Sequence, residues 1–92
     1  MLKEEVSISF NNRNIIEKTI SKFGNGAHVS ISKDYLGKNV KIIVGKSKIS
    51  GKKIKIDFLK CAILDGKVSK FGTGAHVIVS KEYVGKEVKI II

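Results

Sequence analysis

Two stretches of this chain, 48 residues apart, are versions of one sequence. Residues 19–44 read TISKFGNGAHVSISKDYLGKNVKIIV and residues 67–92 read KVSKFGTGAHVIVSKEYVGKEVKIII, with 17 of 26 positions identical. The same offset holds upstream, because VSISF at 6–10 aligns with IKIDF at 54–58. A duplication of this kind constrains the fold strongly, because both copies are expected to adopt the same structure.

The duplication predicts one domain over residues 1–92. Repeat 1 covers about 5–44 and repeat 2 about 53–92, joined by the linker GKSKISGK at 45–52. A unit of about 40 residues with a few strands cannot bury a core alone. Two such units can close their sheets on each other. We therefore expect an all-β, pseudo-twofold symmetric closed barrel with two single-turn helices.

Alternating apolar residues predict strands at the start of each repeat. Val6, Ile8 and Phe10 alternate with polar residues, as do their equivalents 48 positions later. This period of two is typical of a strand with one buried face. After a second strand and a turn, a third strand places Val29 and Ile31 inward.

The turns are Gly-X-Gly sequences at 24–26 and 72–74. A phosphate-binding P-loop needs a lysine and a helix directly after its glycines, and a dinucleotide-binding turn needs a third glycine. Neither pattern is present. We interpret both sequences as hairpin turns that require positive φ. A nest of backbone amides holding one DNA phosphate is the alternative.

The second half of each repeat predicts a helical turn and a closing strand. Ser32 or Ser80 can cap a single turn that a glycine ends. In the closing strand VKIIV at 40–44, alternate residues share one face and Ile43 falls on the other. We expect that second face to be partly covered as well.

The charge of the chain favours a polyanionic partner. The formal net charge is +10, and Arg13 is the one arginine among 18 basic residues. Such an excess attracts nucleic acid first and anionic lipid second. Because lysine is a point charge suited to phosphate, the composition favours contacts with the DNA backbone over reading of base edges. A surface that only keeps the protein soluble is the alternative.

Lysines kept at equal positions in both repeats are the predicted DNA-binding residues, together with Arg13. A pseudo-twofold barrel would present them as two matched sets, which suits the local twofold symmetry of duplex DNA. The lysines of the linker region predict a mobile basic arm or an ordinary solvated loop. The paired set comprises Lys22 and Lys70, Lys33 and Lys81, Lys38 and Lys86, and Lys41 and Lys89.

No arrangement of residues predicts catalysis or a cofactor. His28 and His76 occupy equal positions, which would let them meet near the twofold axis, but no second ligand pair has zinc spacing. Cys61 is the one cysteine and is interpreted as a packing residue. The acids Glu17 and Asp65 are explained by a retained salt bridge. We expect no enzymatic activity, no cofactor and no metal.

The unit IIEKTISKFGNGAHVSISKDYLGKNVKIIV resembles a family of small archaeal proteins labelled transposon-encoded, which look like members of the AbrB/MazE/SpoVT superfamily. The resemblance covers nearly all of both repeats. It is most specific at 22–29 with 32–44, and at 70–77 with 80–92. Two departures are the serines that replace a usual proline at 32 and 80, and the lysines that stand where such regulators carry arginines.

This resemblance implies a cradle-loop barrel and binding to double-stranded DNA. A six-stranded RIFT-like topology is the first expectation, and a fused swapped hairpin is the second. The implied function is that of an AbrB-like transcription regulator. An antitoxin-like or mobile-element accessory module that binds protein is the alternative. We expect a cytoplasmic monomer, because no apolar run is long enough for a membrane span and the duplication already supplies both halves of a barrel.

Overall fold

A computed structural model describes residues 5–9, 14–57 and 60–92 of the chain. The fold is mainly β, as predicted, with two single 3₁₀ turns at Lys33–Tyr35 and Lys81–Tyr83. The described strands are β1 Glu5–Ser9, β2 Ile15–Thr19, β3 Ser21–Phe23, β4 Gly26–Ile31, β5 Asn39–Val44, β6 Ser47–Ser50, β7 Lys53–Asp57, β8 Ala62–Lys67, β9 Ser69–Phe71, β10 Gly74–Val79 and β11 Glu87–Ile91. Arg13, one of the predicted DNA-binding residues, lies outside the described residues, as do Phe10 and Phe58 at the ends of the two alternating segments.

The strands form three antiparallel sheets. The middle sheet has the order β2-β11-β5-β8, and the histidine sheet, named for His28 and His76, has the order β3-β4-β10-β9. The small sheet has the order β1-β7-β6. The two four-stranded sheets draw on both repeats, whereas the small sheet includes a strand from the linker.

The register of the sheets shows an internal twofold relation between the repeats. Val29 pairs with Val77 across β4 and β10, and Ile42 pairs with Ile90 across β5 and β11. Each of these residues faces its own equivalent, 48 positions away. Flanking pairs are reciprocal, which is the pattern of an interface between two identical units. The pseudo-twofold axis therefore passes through both pairs.

Two bent segments connect the middle sheet with the histidine sheet. Between β2 and β3, the Ile20 amide donates to the Lys86 carbonyl over 2.9 Å, and between β8 and β9 the Val68 amide donates to the Lys38 carbonyl over 2.9 Å. Both side chains are buried, at 1% exposure. The pairings leave each sheet open, and no closed barrel is detected among the described strands.

Both faces of the middle sheet are covered. On one face, the main core fills the space against the histidine sheet and includes Val29, Ile42, Val77 and Ile90. On the other face, Ile43 and Ile91 pack with Ile54 and Ile56 of the small sheet. The predicted cover over Ile43 is confirmed.

The linker is structured, unlike either expectation for it. Residues 47–50 form β6, which pairs with β7 through a turn at Gly51, where φ is 60°. Neither a mobile arm nor a solvated loop describes this segment. The sequence signal was weak because Ile49 is its one large apolar residue, and the stability of the strand comes from tertiary pairing.

The predicted hairpin turns are confirmed, and one of the two predicted serine caps is present. Gly24 and Gly72 have φ of 55° and 59° and begin two-residue hairpin turns between paired strands. The Ser32 hydroxyl accepts a hydrogen bond from the Asp34 amide over 3.3 Å, which caps the first 3₁₀ turn. Ser80 makes no such side-chain bond.

Within the described segments, no helix has the length and hydropathy needed to cross a bilayer.

Candidate nucleic-acid interface

Three of the four predicted lysine pairs are exposed on both repeats. They occupy equivalent places: an edge strand of the histidine sheet, a 3₁₀ turn, and the residue before the closing strand. None of the six forms an ion pair with a carboxylate in the described structure. These residues, called the symmetric lysines below, are Lys22 and Lys70, Lys33 and Lys81, and Lys38 and Lys86.

A surface cleft brings symmetric lysines of different repeats together. Lys22, beside the hairpin turn of repeat 1, and Lys81, in the 3₁₀ turn of repeat 2, line one cleft of about 620 Å³. The turn Gly24–Gly26 also lines it, as do Glu82 and the half-exposed Val84. The cleft therefore combines two cations with turn backbone and one carboxylate.

The fourth predicted pair, Lys41 and Lys89, lies in cross-strand ion pairs. Lys41 lies 3.5 Å from Asp65, and Lys89 lies 3.7 Å from Glu17. Each bridge joins one repeat to the other, and the residues are directly opposite in the ladder. The salt bridges expected for Glu17 and Asp65 are confirmed.

Lys89 is placed differently from every other predicted lysine. It is 6% exposed, and its Nζ donates to the Ser47 carbonyl of β6 over 2.8 Å. The Lys41 side chain is 42% exposed. Because the small sheet covers Lys89, the Lys89 ammonium is not accessible to a phosphate group in this structure. It connects the middle sheet to the small sheet.

A set of lysines outside the predicted pairs lies on the small sheet. Ile54 and Ile56 are buried, so the alternate residues Lys53 and Lys55 of β7 point away from the core and are exposed. Lys48 of β6 is exposed directly opposite Lys55. The alternation in KIKID could have revealed the outward face of β7, but no signal in the sequence indicated its pairing with β6.

His28 and His76 meet between the repeats, as expected. Their Nδ1 atoms are 2.8 Å apart in a buried hydrogen bond. Phe23 stacks on His28 with ring centroids 4.6 Å apart, and Phe71 stacks on His76 at 4.5 Å. The two stacked pairs are nearly perpendicular to each other. This aromatic tetrad covers the centre of the outer face of the histidine sheet.

The surroundings of His76 favour its neutral imidazole. A bond between two Nδ1 atoms needs one donor and one acceptor, so it is lost when both rings are protonated. Burial lowers the pKa of His76, and the neighbouring His28 lowers this pKa further. The sequence predicted the meeting of the histidines but not the phenylalanine stacking.

Potential metal ligands are not clustered in the described residues. No group of three or more potential ligands among His, Cys, Asp and Glu is gathered in the parts of the chain that the structure describes. The Cys61 thiol donates to the Lys46 carbonyl over 3.2 Å and is half-buried. This placement agrees with the interpretation of Cys61 as a packing residue.

Comparison with known proteins identifies a family. Residues 7–47 and 59–92 match the family described as "Putative transposon-encoded protein (DUF2080)". No curated protein and no solved structure matches the chain. Because the two matched ranges include most of both repeats, the chain belongs to this transposon-encoded protein family.

Proposed function

We propose that this protein binds double-stranded DNA, mainly through lysine–phosphate contacts, as an AbrB-like transcription regulator without enzymatic activity. It acts in the cytoplasm as a monomer, since the two repeats already supply the two halves of the binding surface. The observation that carries this proposal is the set of six exposed symmetric lysines on a chain of net charge +10.

The symmetry of these lysines supports a duplex as the partner. The register pairs Val29 with Val77 and Ile42 with Ile90, so each symmetric lysine of repeat 1 has an equivalent related by the pseudo-twofold axis. Duplex DNA has local twofold axes, and a protein with matching symmetry can contact two phosphate runs in the same way. The scarcity of arginine favours phosphate contacts over base readout.

We further propose that the middle and histidine sheets together form a RIFT-like cradle-loop barrel. The segments that bend at Ile20 and Val68 each pass from one sheet to the other, which supports this topology. Interleaving of the repeats also supports it, because β4 pairs with β10 and β5 with β11. A fused swapped hairpin is the second candidate topology.

Fluorescence anisotropy with a labelled duplex tests the DNA proposal. At about 50 mM salt we expect clear binding, with affinity falling as salt rises and a log–log slope near −5 if about six lysines contact phosphates. The double variant Lys22→Gln/Lys70→Gln should reduce the steepness of that slope by about two.

The matched control is Lys18→Gln/Lys67→Gln, which removes the same charge from two exposed strand lysines outside the symmetric set. It should change the slope much less than the Lys22/Lys70 variant does. Absence of duplex binding at about 50 mM salt, where phosphate contacts are strongest, would overturn the proposed function.

A further inference from the structure

We infer that the β6–β7 hairpin of the small sheet carries a second phosphate-contacting face, formed by Lys48, Lys53 and Lys55, that docks on the backbone of duplex DNA. This inference rests on the proposed function and deepens it. It adds an asymmetric contact surface that is separate from the symmetric lysines.

The hairpin has one buried and one basic face. Ile54 and Ile56 are almost fully buried against Ile43 and Ile91 of the middle sheet, which fixes the orientation of β7. Because side chains alternate along a strand, Lys53 and Lys55 must project from the opposite face. Both are exposed, because the packing of Ile54 and Ile56 in the core directs the two lysines toward solvent.

The cross-strand pairing places like charges together. Lys48 of β6 is directly opposite Lys55 of β7, and on the other side of β7 the register partner of Lys55 is Ser7. Neither lysine forms an ion pair with a described carboxylate. Directly opposed like charges destabilise a sheet. An anion placed between the two ammonium groups removes this repulsion, so the arrangement favours a bound phosphate.

Lysines also line the surface clefts beside the β6–β7 hairpin. Lys46, Ser47, Lys48 and Lys55 line a cleft of about 390 Å³, together with Ile56, Asp57 and Glu87. The Ser47 hydroxyl is buried and makes no hydrogen bond within the described structure. A second cleft shares Lys46, Asp57 and Glu87 with the first and adds Lys60 and Lys86. Lysines therefore line the surface from the hairpin to Lys86, which is one of the symmetric lysines.

Repeat 1 offers no sequence equivalent of this face. At the positions of repeat 1 that match Lys53 and Lys55, the chain carries Glu5 and Ser7. Lys48 belongs to the segment between the two ranges that match the family. The charge of the hairpin thus complements a polyanion on one side of the pseudo-twofold axis, so bound DNA would extend toward that side.

Salt-dependent anisotropy with three double variants tests the inference on the full chain. The variants are Lys48→Gln/Lys55→Gln, Lys22→Gln/Lys70→Gln and the control Lys18→Gln/Lys67→Gln, each of which removes two charges. We expect the hairpin variant to weaken duplex binding about tenfold at about 50 mM salt and to reduce the salt slope by about two, while the control changes affinity less than about twofold. The melting temperature of the Lys48→Gln/Lys55→Gln variant should equal or exceed that of the wild type, because the opposed charges are gone.

The variants distinguish failure of the hairpin inference from failure of the proposed function. Failure of the wild type to bind the duplex overturns the proposed function and, with it, the hairpin face. If the wild type binds, and the Lys22/Lys70 variant flattens the salt slope while the Lys48/Lys55 variant behaves like the control, the hairpin inference alone is overturned. A reduced slope in both variants supports both contact surfaces.

Discussion

The two faces of the middle sheet are covered in different ways. One face packs against the histidine sheet, where each repeat contributes equally and the central residues pair with their own equivalents. The other face packs against the small sheet, in which β6 has no counterpart in the duplication. The first core is larger and symmetric, and the second is a small cluster built around Ile43, Ile54, Ile56 and Ile91.

This difference shows how an added element can change equivalent residues. Lys41 and Lys89 occupy equal positions, and each forms an ion pair with the opposite repeat. Lys89 donates to the Ser47 carbonyl of the small sheet, and this sheet buries the Lys89 side chain. The side chain of Lys41 remains 42% exposed. Two copies of one sequence therefore carry one structural lysine and one surface lysine.

The largest expected effect is on the symmetric core. Ile42→Ala and Ile90→Ala should each lower the free energy of unfolding by about 3–4 kcal/mol, because each leaves a cavity where the two repeats meet. Ile54→Ala, in the small cluster, should cost less, about 2 kcal/mol, because fewer neighbours surround it. Urea unfolding followed by circular dichroism measures all three. Unequal losses for Ile42→Ala and Ile90→Ala would contradict the symmetry of that core.

A second prediction compares the two equivalent lysines. Lys89→Ala should cost about 1.5–3 kcal/mol, because it leaves the Ser47 carbonyl without its charged donor and opens a buried site. Lys41→Ala should cost less than about 0.5 kcal/mol, because an exposed ion pair contributes little. Denaturant midpoints give both values. Equal losses would show that the small sheet does not distinguish the two lysines.

The smallest effect concerns the bond between the histidines. Because burial lowers the pKa of His76, the unfolded chain binds more protons than the folded chain as pH falls below about 6.5. The stability that depends on a neutral His76 is thus fully present above that pH and decreases as pH falls toward the lowered pKa. Melting temperatures measured between about pH 7.5 and 5.5 report this change, since most carboxyl groups titrate at lower pH.

The control for the histidine prediction is His76→Gln, which leaves His28 as the one remaining histidine. The pH dependence in that window should shrink in this variant, because the imidazole with the lowered pKa is gone. A wild-type profile that is flat from about pH 7.5 to 5.5 would show that burial does not lower the pKa of His76.

Much of the symmetric half could be predicted from the sequence, because its signals are local or repeated. Alternation placed Val29 and Ile31 inward, and glycines at 24 and 72 marked the hairpin turns. The equal spacing of His28 and His76 predicted their meeting. The repeat does not reveal which strands pair, because strand pairing depends on contacts between distant parts of the chain.

The candidate interface was predicted less completely. Lys22 and Lys70 are exposed as expected, but charge and duplication alone did not separate Lys89 from them. Burial of Lys89 depends on β6, whose sequence has little apolar alternation. Lys48 and Lys55 were expected in a mobile arm or a solvated loop. Their shared basic face was missed for the same reason, since it exists only when β6 and β7 pair.

The sequence by itself determined the duplication, the β character of both copies, the hairpin turns and a net charge of +10. These properties follow from composition, local alternation and spacing along the chain. The tertiary structure alone decided which strand of one repeat pairs with which strand of the other, which lysines are buried, and where like charges come together. Those outcomes depend on packing between segments far apart in the chain, where a single added strand on one face of the middle sheet is enough to make two equal positions different.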